Sequence, residues 1–235
     1  MENASIIDSF EKFQKENKNK FGPMFLLSID PGFNNLGFVY GALEATLGQK
    51  NGTIHPTIYI DKQRFKSINL LEMRGAVDHQ EMCYAICKFF WQHFSNDFDI
   101  CRAGVLIEKQ WFNESGHAQR HGLATAGHKM VVMEATFNAV AQAKYQCFTK
   151  SVDSKSVKAH FGTARGSHDE NKKAGMEYCT KTLGLEEFNS HKADALLQLL
   201  YYSFYQLQQL WSKATIKPFT IKFVESNEIT ALGTQ

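Results

Sequence analysis

The chain has 235 residues, enough for one ordinary domain with a modest extension, and 43 % of them are hydrophobic, too many for a disordered chain. Lys plus Arg is 26 against 24 Asp plus Glu, a formal net charge of only +2. That balance excludes a histone-like polycation but leaves room for a local basic groove.

Residues 1–22 read as a short amphipathic helix, with Ile6, Ile7, Phe10 and Phe13 on one face and Gly22-Pro23 as its stop. Met24 to Asp30 is an apolar run ending in an acid, a buried strand. Pro31-Gly32 turns the chain, and Leu36 to Leu43 pairs back as a hairpin. Ile58–Ile60 is a short third strand. Val77 to Phe94 has helical periodicity through Met82, Ile86, Phe89 and Phe90. Gly104 to Glu108 is a second apolar strand ending in an acid. Thr125 to Ala143 is a long helix rich in Ala and Met, and Gln146 to Val152 a further strand. Asp153 or Ser154 caps a helix through Phe161. Residues 162–171 form a polar loop, Asn171 to Leu183 a helix ending at Gly184, and Ser190 caps a last long helix from His191 to about Trp211. Thr220 to Val224 adds a strand. Strands first and strand–helix units later predict a mixed α/β sheet with helices on both faces, its ligand sites beyond the carboxyl ends of the strands.

The five cysteines are odd in number and widely spread, which fits a reducing compartment better than a disulfide scaffold. No CxxC occurs, and His117, His121 and His128 lack nearby cysteines, so no structural zinc site is expected. No apolar run reaches the roughly 18 residues of a membrane helix, and the start has no signal-peptide pattern.

Three acids stand where acids are costly. Asp30 and Glu108 each end an apolar strand, and Asp194 lies in the first turn of a helix flanked by Ala193, Ala195, Leu196 and Leu197. A buried carboxylate needs a partner or a cation, and two at adjacent strand ends repel each other. A divalent metal relieves both problems, and hard oxygen ligands suit magnesium. His191 precedes Asp194 by three residues, about 300° of helix, so the two share a face. Singly, each has a plain reading: a turn former, a helix-dipole acid, a surface histidine. Their combination and order point to a metal centre.

Ser28-Ile29-Asp30-Pro31-Gly32, continuing Asn34-Asn35-Leu36-Gly37-Phe38, resembles the first strand and turn of the RuvC-type Holliday junction resolvases of the ribonuclease H-like superfamily. Val105 to Gln110 is similar to that family's second acidic strand, and Ser190 to Leu196 to its closing helix. The match runs from about residue 24 to 205 and looks nearest to the divergent viral and mitochondrial resolvases. It implies a ribonuclease H-like five-stranded mixed sheet flanked by helices on both faces. It also implies two Mg2+ ions per site, with Mn2+ tolerated, held by Asp30, Glu108, His191 and Asp194. Lys158 and Lys172 resemble family lysines beside the active site, Lys173 being the alternative to Lys172. Trp111 resembles an aromatic that stacks on a base. Lys109, Arg120, Lys129, Arg165 and Lys173 are further candidates for the DNA surface.

The implied activity is a crossover junction endonuclease. Two symmetric nicks in four-way DNA would leave 5′-phosphate and 3′-hydroxyl ends, made by a homodimer with no membrane partner. The helix carrying Thr125, Met130, Met133, Ala135 and Phe137 is the candidate dimer face. The expected division is a helical extension 1–22, a nuclease domain 23–212 and a C-terminal extension 213–235. The expected setting is inside a cell, with nucleus, mitochondrion and cytoplasm open. Alternatives are a related nuclease of other branched DNA or RNA–DNA hybrid, and a silent DNA-binding factor. Asp30 to Asn35 also resembles the first phosphate loop of actin-like ATP-binding proteins, but no second Asp-x-Gly follows.

Overall fold

The computed structural model describes residues 20–48, 52–71, 78–94, 103–110, 123–186 and 189–233, with backbone alone at 123–126. Seven strands, β1 (Lys20–Asp30), β2 (Leu36–Gly48), β3 (Thr53–Ile68), β4 (Ala103–Glu108), β5 (Thr149–Val152), β6 (Thr215–Ile216) and β7 (Thr220–Val224), form one sheet. The expected five are ordered β5-β4-β1-β2-β3, and β6 and β7 both add to β3. β1, β2 and β3 form an antiparallel meander; β4 runs parallel to β1, and β5 parallel to β4. The helices are α1 (His79–His93), α2 (Leu123–Tyr145), α3 (Ser154–His160), α4 (His168–Glu177), α5 (Ser190–Leu210) and α6 (Ser226–Leu232).

Period-two alternation sorts β1 between two cores. Met24 and Leu26 face one layer, where α5 contributes Leu196, Leu197, Leu199, Leu200 and Leu207 and α3 contributes Val157. Phe25, Leu27 and Ile29 face the other, built by Met82, Ile86, Phe89 and Phe90 of α1, by Met133, Phe137, Ala141 and Tyr145 of α2, and by Ile229 of α6. The same parity turns Asp30 and Glu108 toward α5. Phe38, Phe89, Phe90, Phe94, Phe137 and Tyr145 meet edge-to-face or tilted, with centroids 5.1–6.3 Å apart.

Several expectations shift. Lys20 to Gly22 belong to β1, so Gly22-Pro23 does not stop a helix before the sheet; the rest of the expected N-terminal helix lies outside the described residues. Gly22 (φ +94°) carries a bulge between the pairs Phe21↔Ala45 and Met24↔Leu43. The third strand is 16 residues long, not three. Gly41 pairs with Ile60 and Val39 with Phe65, so residues 61–64 bulge out opposite Tyr40. Asp61 makes that bulge stable: its buried carboxylate accepts from the N–H of Gln63 (2.8 Å) and Arg64 (3.2 Å), from Arg64 Nε (2.6 Å) and from Ser226 Oγ (2.8 Å). The Arg64 guanidinium lies 4.4 Å from the centre of the Tyr40 ring.

α4 starts at His168, inside the expected loop, because Ser167 and Glu170 form a capping box. It ends in a π-helical turn, Tyr178–Thr182. Of the two caps offered for α3, Asp153 is used, its carboxylate accepting from Ser156 N. For α5 the cap is Asn189 rather than Ser190, accepting from Lys192 N at 2.9 Å. Thr220–Val224 is the strand expected, joined by β6 and α6. On α2, Met133 and Phe137 are fully buried against the sheet and Ala135 is exposed. The residues expected as a dimer face therefore do not share one free face. Among the described residues, no helix is long and apolar enough to cross a membrane.

Candidate active site

β1 and β4 run parallel with Ile29 level with Ile107, so the next residues, Asp30 and Glu108, end the two strands side by side. α5 brings its first turn over these strand ends. It can do so because Gly37, paired with Asp30 across the hairpin, has no side chain: a Cβ there would lie 2.2 Å from the carbonyl oxygen of His191. Gly41, four residues on, keeps the same face low under Leu199. One turn past Asp194, buried Gln198 donates Nε2 to Ser28 Oγ (2.9 Å) and to the Ile29 carbonyl (3.3 Å), fastening α5 to β1. Gln198 was not among the expected site residues. Its one signal in the sequence is a polar residue four after Asp194 on an otherwise apolar stretch.

The four expected ligands converge. His191 Nδ1 lies 2.8 Å from Asp30 Oδ2, and Glu108 and Asp194 are close enough to act on the Asp30 carboxyl. Burial raises the Asp30 carboxyl well above the carboxylate range, and Glu108 and Asp194 push it further. Asp194 is pushed up to about 6, first by burial and then by Glu108, with Lys158 and Lys172 opposing. Burial, then the charge of Lys172, lowers His191. Both shifts work against an ion pair at this contact, because burial penalises the charged carboxylate and the charged imidazolium alike. A neutral imidazole at this position has one N–H and one lone pair.

Lys158 on α3 and Lys172 on α4 are half-buried and close enough to act on these acids. Arg165 and Lys173 are exposed on the segment that carries Lys172, and Lys109 is exposed directly after Glu108. Lys129 is half-buried on α2, across the sheet, apart from this group. Trp111 and Arg120 lie outside the described residues.

Among the described residues, no three His, Cys, Asp or Glu side chains stand ready as a cage for a metal ion. Asp30 is instead paired with His191, with Glu108 and Asp194 acting on it through their charge. The donor set still suits a hard divalent cation in kind, with three carboxylates and one neutral imidazole. The raised carboxyls show how poorly the site carries its own negative charge.

No protein-family model matches the chain, and no curated protein matches it. Similar backbones occur among solved structures. Thermus thermophilus RuvC in complex with a Holliday junction substrate aligns with 79 % of this chain and 96 % of its own, at 18 % identity and a TM-score of 0.43. A second Thermus thermophilus RuvC structure aligns with 79 % and 97 %, at 19 % identity and 0.43. The yeast mitochondrial Holliday junction resolvase Ydc2 aligns with 82 % and 85 %, at 14 % identity and 0.45.

Proposed function

We propose that the chain is a metal-dependent endonuclease that resolves four-way DNA junctions. The observation that carries the reading is the meeting of Asp30, Glu108, His191 and Asp194 at one end of the sheet, with Lys158 and Lys172 beside them. The choice of a four-way junction rests on the three-motif resemblance in the sequence.

Asp30, Glu108, Asp194 and the Nε2 of His191 would hold magnesium, with manganese tolerated because one donor is nitrogen. Divalent ions bound there supply Lewis acidity toward the scissile phosphate and a readily deprotonated water. Asp30, bonded to His191 and acted on by both Glu108 and Asp194, would be the central ligand. His191 would donate Nδ1–H to Asp30 and turn Nε2 outward, the arrangement by which a carboxylate fixes a ligating imidazole. Lys158 and Lys172 would face the phosphate and offset charge that develops on it. Arg165, Lys173 and Lys109 would contact the backbone, and Arg120 and Trp111 are proposed for the same surface. Symmetric nicks need two such sites, hence a homodimer.

One gel tests this: four-way junction, duplex, flap and RNA–DNA hybrid, each with and without Mg2+. Paired nicks in the junction with ligatable ends are expected, lost in Asp30→Asn while junction binding remains. Cleavage by Asp30→Asn at a near wild-type rate, or magnesium-independent cleavage, would refute the assignment. Preference for hybrid or flap would keep the chemistry and replace the substrate.

A further inference from the structure

A fourth carboxylate borders the site from the opposite layer. Glu134 projects from α2, and both of its oxygens are taken by donors. Oε2 accepts from the backbone N–H of Gln110 at 2.7 Å, and Oε1 accepts from the hydroxyl of Ser151. Gln110 lies two residues past Glu108 at the end of β4. Ser151 lies on β5, paired with Ile107, and the next residue, Val152, pairs with Glu108. A single helix side chain thus ties together the carboxyl ends of two adjacent strands. The neighbouring bonds tighten the same corner. The Lys109 N–H donates to the Val152 carbonyl at 2.8 Å, and Gln110 Nε2 donates to the Glu108 carbonyl at 3.2 Å. Behind Glu134, Asn138 Nδ2 donates to its carbonyl at 3.0 Å.

With both oxygens occupied, Glu134 is not itself a ligand. A carboxylate taking two donors in a half-buried setting makes charge-assisted bonds, stronger and more directional than neutral ones. β4 ends here, and past Glu108 the Lys109 N–H is held by Val152 and the Gln110 N–H by Glu134.

We propose that Glu134 is a positioning residue for the metal centre. It sets where β4 ends and so the height at which the Glu108 carboxylate meets Asp30 and Asp194. Through β5 and the Asp153 cap it also sets the start of α3, which carries Lys158. This rests on the metal-dependent nuclease reading above. The sequence hides Glu134 because its partners lie 24 residues before it and 17 after it.

The test measures Mn2+ binding to the full chain by electron paramagnetic resonance, with thermal unfolding alongside and Asp30→Asn as the site control. Glu134→Ala is expected to weaken Mn2+ binding about tenfold, the effect usual for groups that orient metal ligands. Glu134→Gln is expected to stay within about threefold. Its amide oxygen can still accept from Gln110, and its NH2 can donate to the Ser151 hydroxyl, which turns from donor to acceptor. Ser151→Ala, which removes one of the two bonds, should fall between them. It keeps the test decisive even where Glu134→Ala fails to fold. In junction cleavage the loss should appear as a higher Mn2+ concentration for half-maximal rate, with the rate at saturating metal largely recovered, a pattern that plain destabilisation does not give. Wild-type Mn2+ affinity in Glu134→Ala or, failing its folding, in Ser151→Ala overturns the inference while the nuclease reading stands, provided Asp30→Asn loses binding. A wild-type chain that takes up no Mn2+ removes both.

Discussion

Asp194 ionises in the folded chain only near pH 6, against an ordinary 3.8, because it is buried beside Glu108. The proton is therefore held more tightly in the native state than in the unfolded one. Its contribution to stability is complete below about pH 4 and is lost as pH rises through 6. At neutral pH the ionised group costs the metal-free fold up to about 3 kcal/mol. Asp194→Asn removes the charge, so in chelator this variant should melt higher than wild type at pH 7.5 and show no advantage at pH 4. Adding Mn2+ should close the gap at pH 7.5 by stabilising only the wild type. A wild-type and variant pair with the same pH profile would contradict this. The same physics made these acids visible in the sequence: an apolar strand that ends in a carboxylate announces an unpaid electrostatic cost. Gln198 and Ser28 carry no such mark, since an uncharged amide and hydroxyl are ordinary anywhere and their contact spans 170 residues.

Secondary elements are legible in the sequence where one periodicity runs unbroken. β4 and β7 match their expected spans closely because their apolar runs are short and sharply bounded. The full length of β3 is hidden in the sequence because Asp61-Lys62-Gln63-Arg64 interrupts the alternation, and only the tertiary structure supplies the donors and the Tyr40 ring that let this charged bulge stay in the sheet. The start of α4 is hidden in the sequence because Ser167 and Glu170 have the character of loop residues, and their reciprocal bonds exist only in the fold. The pairing of Asp30 with Gly37 was implicit in the hairpin, but the need for glycine there was not, because the obstructing atom belongs to His191. Gly37→Ala forces α5 to lift by its first turn. A stability loss of about 1–3 kcal/mol is expected from overpacking, read by urea unfolding. Junction cleavage should fall further than stability does, because His191 and Asp194 move together away from Asp30.

At the scale of the molecule, one central sheet separates the layer that carries α5 and its acids from the aromatic layer under α1 and α2. The C-terminal residues join that aromatic layer: Ile229 of α6 is fully buried there, and Ser226 completes the shell of Asp61. Ile229→Ala should cost about 2–5 kcal/mol in urea unfolding, the range for a buried large-to-small change. A loss under about 0.5 kcal/mol would show that α6 is only loosely attached. The sequence foresaw a strand in this region but not its partner, since strand order is set by long-range packing rather than local pattern. The bond from Asp30 to His191 joins residues 161 positions apart, and the one from Asp61 to Ser226 joins residues 165 apart. Closing such spans spends chain entropy before any contact rewards it, so folding is slowed by topology. In refolding from urea, the capacity to bind Mn2+ should therefore return with the slowest kinetic phase, after the fluorescence of the packed sheet has recovered.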